Sequence, residues 1–403
     1  MGLNLDKVVF FRNNENIINK RVVLFGTGLV CKKFINNFDK SKILYLVDNN
    51  EKLWGTKFEG LIVHNPKKLE KLNSKNILVI IMTTSFSDVI SQIESLNKNL
   101  KIKVSNYLKD IICIEYLQNL EKKILISSGL PARKEKNIGG GLYELNITRN
   151  SWSIKKVYSG IVHGIIRYKN GFAISDSANG IILLDKNYKI MQKGKYPLNT
   201  RAHGISYDFK KNFFYVACSL TDQIKVFDHN LKLKDKILIS EKFKKLNLPQ
   251  HHINDLYLKD GYLYVSMFSL SGNHRHNIYD GGVYEINLSN KKITNQIYGN
   301  LKMPHSIKYF NDSFSILDSM RGELIIGKDC VATFSGFSRG MDYNNEYYYI
   351  GQSRNRNFSM ISSTKDNVSI DNGIIIYDIK NKISRKIVLP FTVSEIHEVL
   401  VIS

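Results

Sequence analysis

Cysteine is scarce in this chain of 403 residues: Cys31, Cys113, Cys218 and Cys330 stand far apart and fit no metal-ligand spacing. A thiolate metal cluster is therefore not expected, and a reducing cytoplasm is the expected location. No apolar run approaches the ~18 residues needed to span a membrane. A secretory signal is not expected either, because the opening MGLNLDKVVFF runs into the polar NNENIINKR and not into a small-residue cleavage site. Acidic residues are outnumbered, 36 against 58 Lys and Arg, leaving a net charge of +22. Such a balance suits nucleic acid, an anionic membrane or an acidic small molecule. The excess is mostly lysine spread singly among Asn and Ile, so nucleic acid is disfavoured and a phosphate-bearing ligand is the better use of the charge.

What the chain has is a recurring phrase. It reads VHGII from Val162, AHGIS from Ala202, HINDL from His252 and PHSIK from Pro304, with SRGMD from Ser338 and EIHEV from Glu395 at the same place in their own repeats. After each phrase come a turn, an alternating strand, a loop, a strand rich in Gly, Ile and Tyr, and a basic strand. Period-two alternation in units of about 40 to 50 residues with four strands apiece predicts a β-propeller, here with six blades. KKILISS, GGGLYELNI and WSIKKVY, near Lys122, Gly139 and Trp152, supply three strands of a blade that lacks its first. The C-terminal EIHEVLVIS is the expected missing strand, and closure by it removes free sheet edges.

The start of each innermost strand faces the central channel. His163, His203, His252, His305, Arg339 and Glu395 are thus expected to form one circle, with His397 projecting on the same side as Glu395. Four imidazoles, His163, His203, His252 and His305, are candidate ligands for zinc, manganese or iron, with a coordination position left open for water or substrate. The structural alternative is that a duplicated histidine merely hydrogen-bonds strands together. Long loops on the same face carry Arg133, Lys134, Lys136, His274, Arg275, His276, Arg354 and Arg356, suited to phosphate oxygens. Asp176, Asp318 and Ser353 at strand ends are candidates for orienting the imidazoles.

The N-terminal third has a different texture. RVVLFGTGLVCKKF reads as a strand, a glycine turn at Gly26 and Gly28, and a helix; ILYLVDNN adds a second strand ending at Asp48, twenty residues after Gly28. That is the pattern of a first βαβ unit, in which glycines admit a phosphate and the acid takes a ribose hydroxyl. Cys31 takes the third glycine position. With Asn49, Asn50, Gly55, the Gly60 to Val63 turn, Pro66 and the strand Ile77 to Met82, residues 20 to 105 resemble the nucleotide-sugar-binding domain of bacterial sugar acetyltransferases of the sialic acid and bacillosamine type. The resemblance implies a bound nucleotide-sugar contacted by Gly28, Asp48 and the loop from Thr83, with Gly26 in the same turn. No hexapeptide repeat follows, so acetyl transfer is not implied. Residues 122–403, through GGVYEIN, MPHSIKYF, FSGFSRGMD and YYYIGQSRNR, resemble a bacterial propeller family of unassigned function.

The expected fold is multidomain α/β plus all-β: a Rossmann-like parallel sheet with a bridging helix in residues 1–121, and a six-bladed propeller in 122–403. Three functions stay open. One is a metal-assisted lyase or epimerase acting on a nucleotide-linked or phosphorylated sugar in surface-glycan biosynthesis, similar in site to propeller lyases that seat a metal among histidines. Another is metal-free acid and base chemistry by His397 and Glu395, with Arg339 pairing an anion. The third is a non-catalytic glycan- or partner-binding propeller with a sugar-sensing domain. The oligomeric state is not legible.

Overall fold

The computed structural model describes residues 9–11, 20–73, 75–132, 138–149, 151–198, 200–355 and 368–402. It contains two compact units, Met1–Leu117 and Gln118–Ser403. Among the described residues no helix is long and apolar enough to cross a membrane.

The first unit holds strands β1 (Phe10–Phe11), β2 (Arg21–Phe25), β3 (Ile43–Val47), β4 (Lys57–Phe58), β5 (Leu61–His64), β6 (Ile77–Ile81) and β7 (Lys101–Ser105), in the order β1-β7-β6-β2-β3-β5-β4. Its apolar runs are buried on both faces, as VVLF in β2 shows. The expected Rossmann-like parallel α/β sheet is corrected here. The sheet is mixed, since β4 runs antiparallel to β5, and helices are few. The helix after β2, Leu29–Phe34, stops at six residues, and among the described residues the helical segments between β3 and β6 are only the 3₁₀ turns at Glu51–Leu53 and Pro66–Lys71. The reason is local: the Asp39, Asn50 and Asn65 side chains each accept from a backbone amide two residues on, starting short turns where crossover helices would be needed.

The second unit is a six-bladed propeller of four-stranded antiparallel sheets. The closing strand Ile396–Val401 pairs with Lys122–Ala132, register Ile396 to Ser128 and Val401 to Ile124, so that the last strand becomes the innermost of the first sheet. Hydrophobic cores lie between neighbouring blades. Leu125 and Leu142 pack with Val162, Ile165 and Ile174, and Ala173, Ile181 and Leu183 pack with Ala202, Ile205 and Val216. Full burial of each of these Val, Leu and Ile side chains stabilises by ~1.5–3 kcal/mol, and the two-residue alternation is what aims one set of side chains at each neighbouring blade.

Candidate functional site

The strand register decides which residues reach the axis. Val162, Ala202, Ile253, Pro304, Ser338 and Ile396 pair respectively with Asp176, Cys218, Met267, Asp318, Gln352 and Ser128. The next residue in each inner strand is His163, His203, Asn254, His305, Arg339 and His397. Asn254 and His397 thus hold the ring positions expected for His252 and Glu395, which lie two residues earlier. All eight line one cavity of about 530 Å³ at the mouth of the channel. A register shift follows the first or second ladder pair of each inner strand, freeing backbone amides that the next layer satisfies. Asp255 accepts from the Ser306 amide at 2.7 Å, and Ser306 Oγ from the Gly340 amide at 2.8 Å. Lys308 pairs with Glu398 at 3.1 Å in the same inner layer.

Three imidazoles gather on one side of the ring. The His163 and His203 rings stack with centroids 4.5 Å apart, and His397 meets His163 edge-on at 4.3 Å. Their candidate ligand atoms all lie within 4.8 Å of one another. The other side is aromatic. His252 stacks on Phe268 at 4.3 Å and lies 4.8 Å from His274, while His305 stands edge-on to Phe268 and Phe337. Of the four expected ligands, His163 and His203 therefore join His397 in the close group, while His252, whose ring is 5.7 Å from that of His203, and His305 fall outside it.

Hydrogen bonds set the tautomers. Ser177 donates its hydroxyl proton to the Ala202 carbonyl at 2.6 Å, so at 2.9 Å from His163 Nδ1 it accepts the imidazole N–H. The Nε2 lone pair of His163 is thereby left for the cavity. His305 Nδ1 donates to the Met303 carbonyl at 2.9 Å, with Ser319 Oγ at 2.8 Å. The Nε2 of His203 is buried without a hydrogen-bond partner among the described residues. Gly129 belongs to the same arrangement, because a Cβ at that position would collide with Nε2 of both His397 and His163.

The imidazoles are held neutral. Burial, followed by the cations Arg201 and Arg339, pushes His163 down to about 3. Burial likewise holds His203, His252, His305 and His397 well below the usual histidine range. Neutral imidazole is the form that ligates metal. Arg339 donates from Nη1 to His397 Nε2 at 3.0 Å and lies over the Phe337 ring at 4.8 Å. Glu395 Oε2 is 3.6 Å from His397 Nε2.

Several contributors escaped sequence reasoning. Asn254, Tyr279 and Arg201 line the cavity, as does His274, expected only as a loop cation. The imidazole partners are Ser177 and Ser319, one residue beyond the expected Asp176 and Asp318. Those carboxylates instead accept from loop amides: Asp176 from Ala178 and Asn179, Asp318 from Lys302 and Arg321. Ser353 accepts from the Ile396 amide and donates to its carbonyl. A serine at or just past the end of the second strand recurs as Ser177, Ser219, Ser269, Ser319 and Ser353, and that repetition was the available signal. Arg133, Lys134, Lys136 and Arg356 lie outside the described residues.

In the first unit Gly26, Gly28, Asp48 and Thr83 follow β2, β3 and β6. Gly26 has φ +100°, and a Cβ there would press on Thr83 Cβ at 3.2 Å. Asp48 spends its carboxylate within its own loops: Oδ2 accepts from both the amide and the hydroxyl of Thr27 at 2.7 Å, and Oδ1 from the Asn50 amide at 2.8 Å. A ribose hydroxyl would have to displace these bonds.

Fold and site together define a six-bladed β-propeller with a histidine-lined cavity at its channel mouth. Residues 244–403 match a family described as a domain of unknown function, DUF4915, and residues 18–104 match one described as C2185-like, N-terminal. No curated protein sequence matches the chain. A chain of a nidogen/laminin complex superposes with a TM-score of 0.50 at 10% identity, over 70% of this chain and 98% of that one. Luciferin-regenerating enzyme gives 0.41 at 12% identity, over 56% and 76%. The calcium-binding protein regucalcin of Agrobacterium tumefaciens strain C58 gives 0.40 at 14%, over 55% and 72%. At these identities the first likeness concerns the fold alone, and the other two carry no argument about chemistry.

Proposed function

We propose that the protein is a propeller enzyme in which His163, His203 and His397 hold a divalent transition metal, and that it removes a proton from an anionic sugar as a lyase or epimerase. The observation that carries the reading is the convergence of three neutral imidazoles whose ligand atoms lie within 4.8 Å of one another. Three protein ligands with an open position characterise catalytic sites more than structural ones, and imidazole suits zinc, manganese or iron. A bound ion would act as a Lewis acid on a substrate oxygen. Arg201 and Arg339 line the same cavity and favour a phosphate or carboxylate on the substrate. Glu395, 3.6 Å from His397, would serve as the base. A volume of about 530 Å³ suits a phosphorylated monosaccharide. All four cysteines are free, which favours a reducing compartment such as the cytoplasm.

One contact favours a second, metal-free reading. The hydrogen bond from Arg339 to His397 occupies a lone pair that a metal would need, and leaves Glu395 and His397 as an acid and base pair. Deuterium exchange from solvent into phosphorylated sugars, measured before and after chelation and zinc or manganese readdition, separates the two. Exchange that needs the ion supports the metal reading, exchange indifferent to it supports the second, and a protein that binds sugar without exchange would be a binder only.

A further inference from the structure

The face of the propeller opposite the histidines carries a second cavity, of about 640 Å³, where the closing sheet meets the next blade. The inner strand that begins at Val162 and His163 ends at Tyr168. Arg167 and Lys169 at that end join Lys123 from the partner of the closing strand. Lys155 and Lys186 complete five basic side chains around one carboxylate, Glu144. Glu144 is already engaged as acceptor of the Tyr188 hydroxyl. Arg167 donates to the Val401 carbonyl, which holds it at the closure. Among the described residues none of Lys123, Lys155, Lys169 or Lys186 has an ion-pair partner.

We propose that this cavity binds a phosphate ester bearing at least two negative charges. Five cations crowded into one concavity against the single carboxylate of Glu144 repel one another and focus a positive potential in it, which a multiply charged anion relieves. Lysines reach phosphate oxygens as point charges, and the fixed Arg167 supplies a planar donor. The Tyr188 ring, stacked on Phe172 at 5.9 Å, offers a flat wall for the organic part of the ester. Because the ligand would bridge the closing sheet and the following blade, binding also stabilises ring closure. The site is independent of the histidine cavity, so either proposal can fail alone.

The test is calorimetric titration of the full-length, chelator-dialysed protein with inorganic pyrophosphate and with uridine diphosphate at low salt. Saturable binding is expected, weakened about tenfold in a Lys155→Ser, Lys186→Ser double variant, which removes two of the five cations. Both lysines are exposed, so a melting temperature close to wild type serves as the folding control. Lys292→Ser, an exposed lysine on another blade that lines neither cavity, leaves this binding unchanged. Tighter binding of uridine diphosphate than of pyrophosphate places the organic group in the cavity, and equal binding places phosphate alone there; either outcome supports the site. Absence of saturable binding, unchanged affinity in the double variant, or an equal loss of affinity in Lys292→Ser overturns it.

Discussion

Arg339 Nη1 lies 3.0 Å from Nε2 of His397, so the one cation on the ring donates to one of the three imidazoles that could share an ion. The guanidinium and a metal would compete for that lone pair. Replacing Arg339 by Met is therefore expected to tighten zinc binding by roughly tenfold, about the 1.4 kcal/mol that removing one charge from a partly screened site releases. The same change should raise KM for an anionic substrate. Competition titration against a chromophoric chelator measures the first, and unchanged zinc affinity would contradict the competition.

Ser177 fixes which nitrogen of His163 carries the proton. Ser177→Ala should lower metal affinity by about 10- to 100-fold, the usual cost of losing such an orienting partner, while leaving the melting temperature within a few degrees. Restoration by Ser177→Thr would show that the hydroxyl itself matters. Equal affinity in Ser177→Ala would assign the hydroxyl to strand geometry only.

Gly129 offers a change that alters no ligand. Its Cβ would intrude on the meeting point of the His163 and His397 Nε2 atoms. Gly129→Ala is expected to abolish stoichiometric metal uptake in a folded protein, by circular dichroism and elemental analysis together. Full metal content in that variant would place the ion elsewhere.

How much of this was legible in the sequence depends on the feature. The six phrases and the closing EIHEVLVIS revealed the propeller because each blade repeats the same alternation. The exact ring residues were obscured by the doubled His251-His252 and by EIH, where the apolar residue before the ring position, Ile253 or Ile396, marks the register better than the histidine or glutamate does. The triad itself follows from closure. Joining the last strand to the first sheet makes His397 a neighbour of His163, which stands 234 positions earlier in the sequence, so only knowledge of the ring order brings His397, His163 and His203 onto consecutive inner strands. In the N-terminal unit, GTG and Asp48 carried a dinucleotide-site pattern. Side-chain-capped turns at Asp39, Asn50 and Asn65 shortened the intervening segments, and Thr27 claimed the carboxylate.

Asp318 supplies a pH dependence away from the triad. Burial raises its carboxyl from 3.8 to about 6, partly offset by the Lys302 amide and Arg321. The folded pKa lies above the unfolded one, so the folded state binds more protons between those values. Its stabilising contribution is present below about pH 4 and is lost as pH rises through about 6. Asp318→Asn removes this titration. The melting temperature of wild type minus variant should thus be more favourable to wild type at pH 4.5 than at pH 7.5, and a difference independent of pH would contradict the raised pKa.

The central claim is that His163, His203 and His397 form a metal centre. The direct test is elemental analysis of tag-free protein after zinc or manganese loading and gel filtration, for wild type and for His203→Ala and His252→Ala variants that retain the wild-type circular dichroism. The account predicts near one equivalent in wild type and His252→Ala, and little in His203→Ala. Retention of metal by His203→Ala, or no metal in folded wild type, would contradict it.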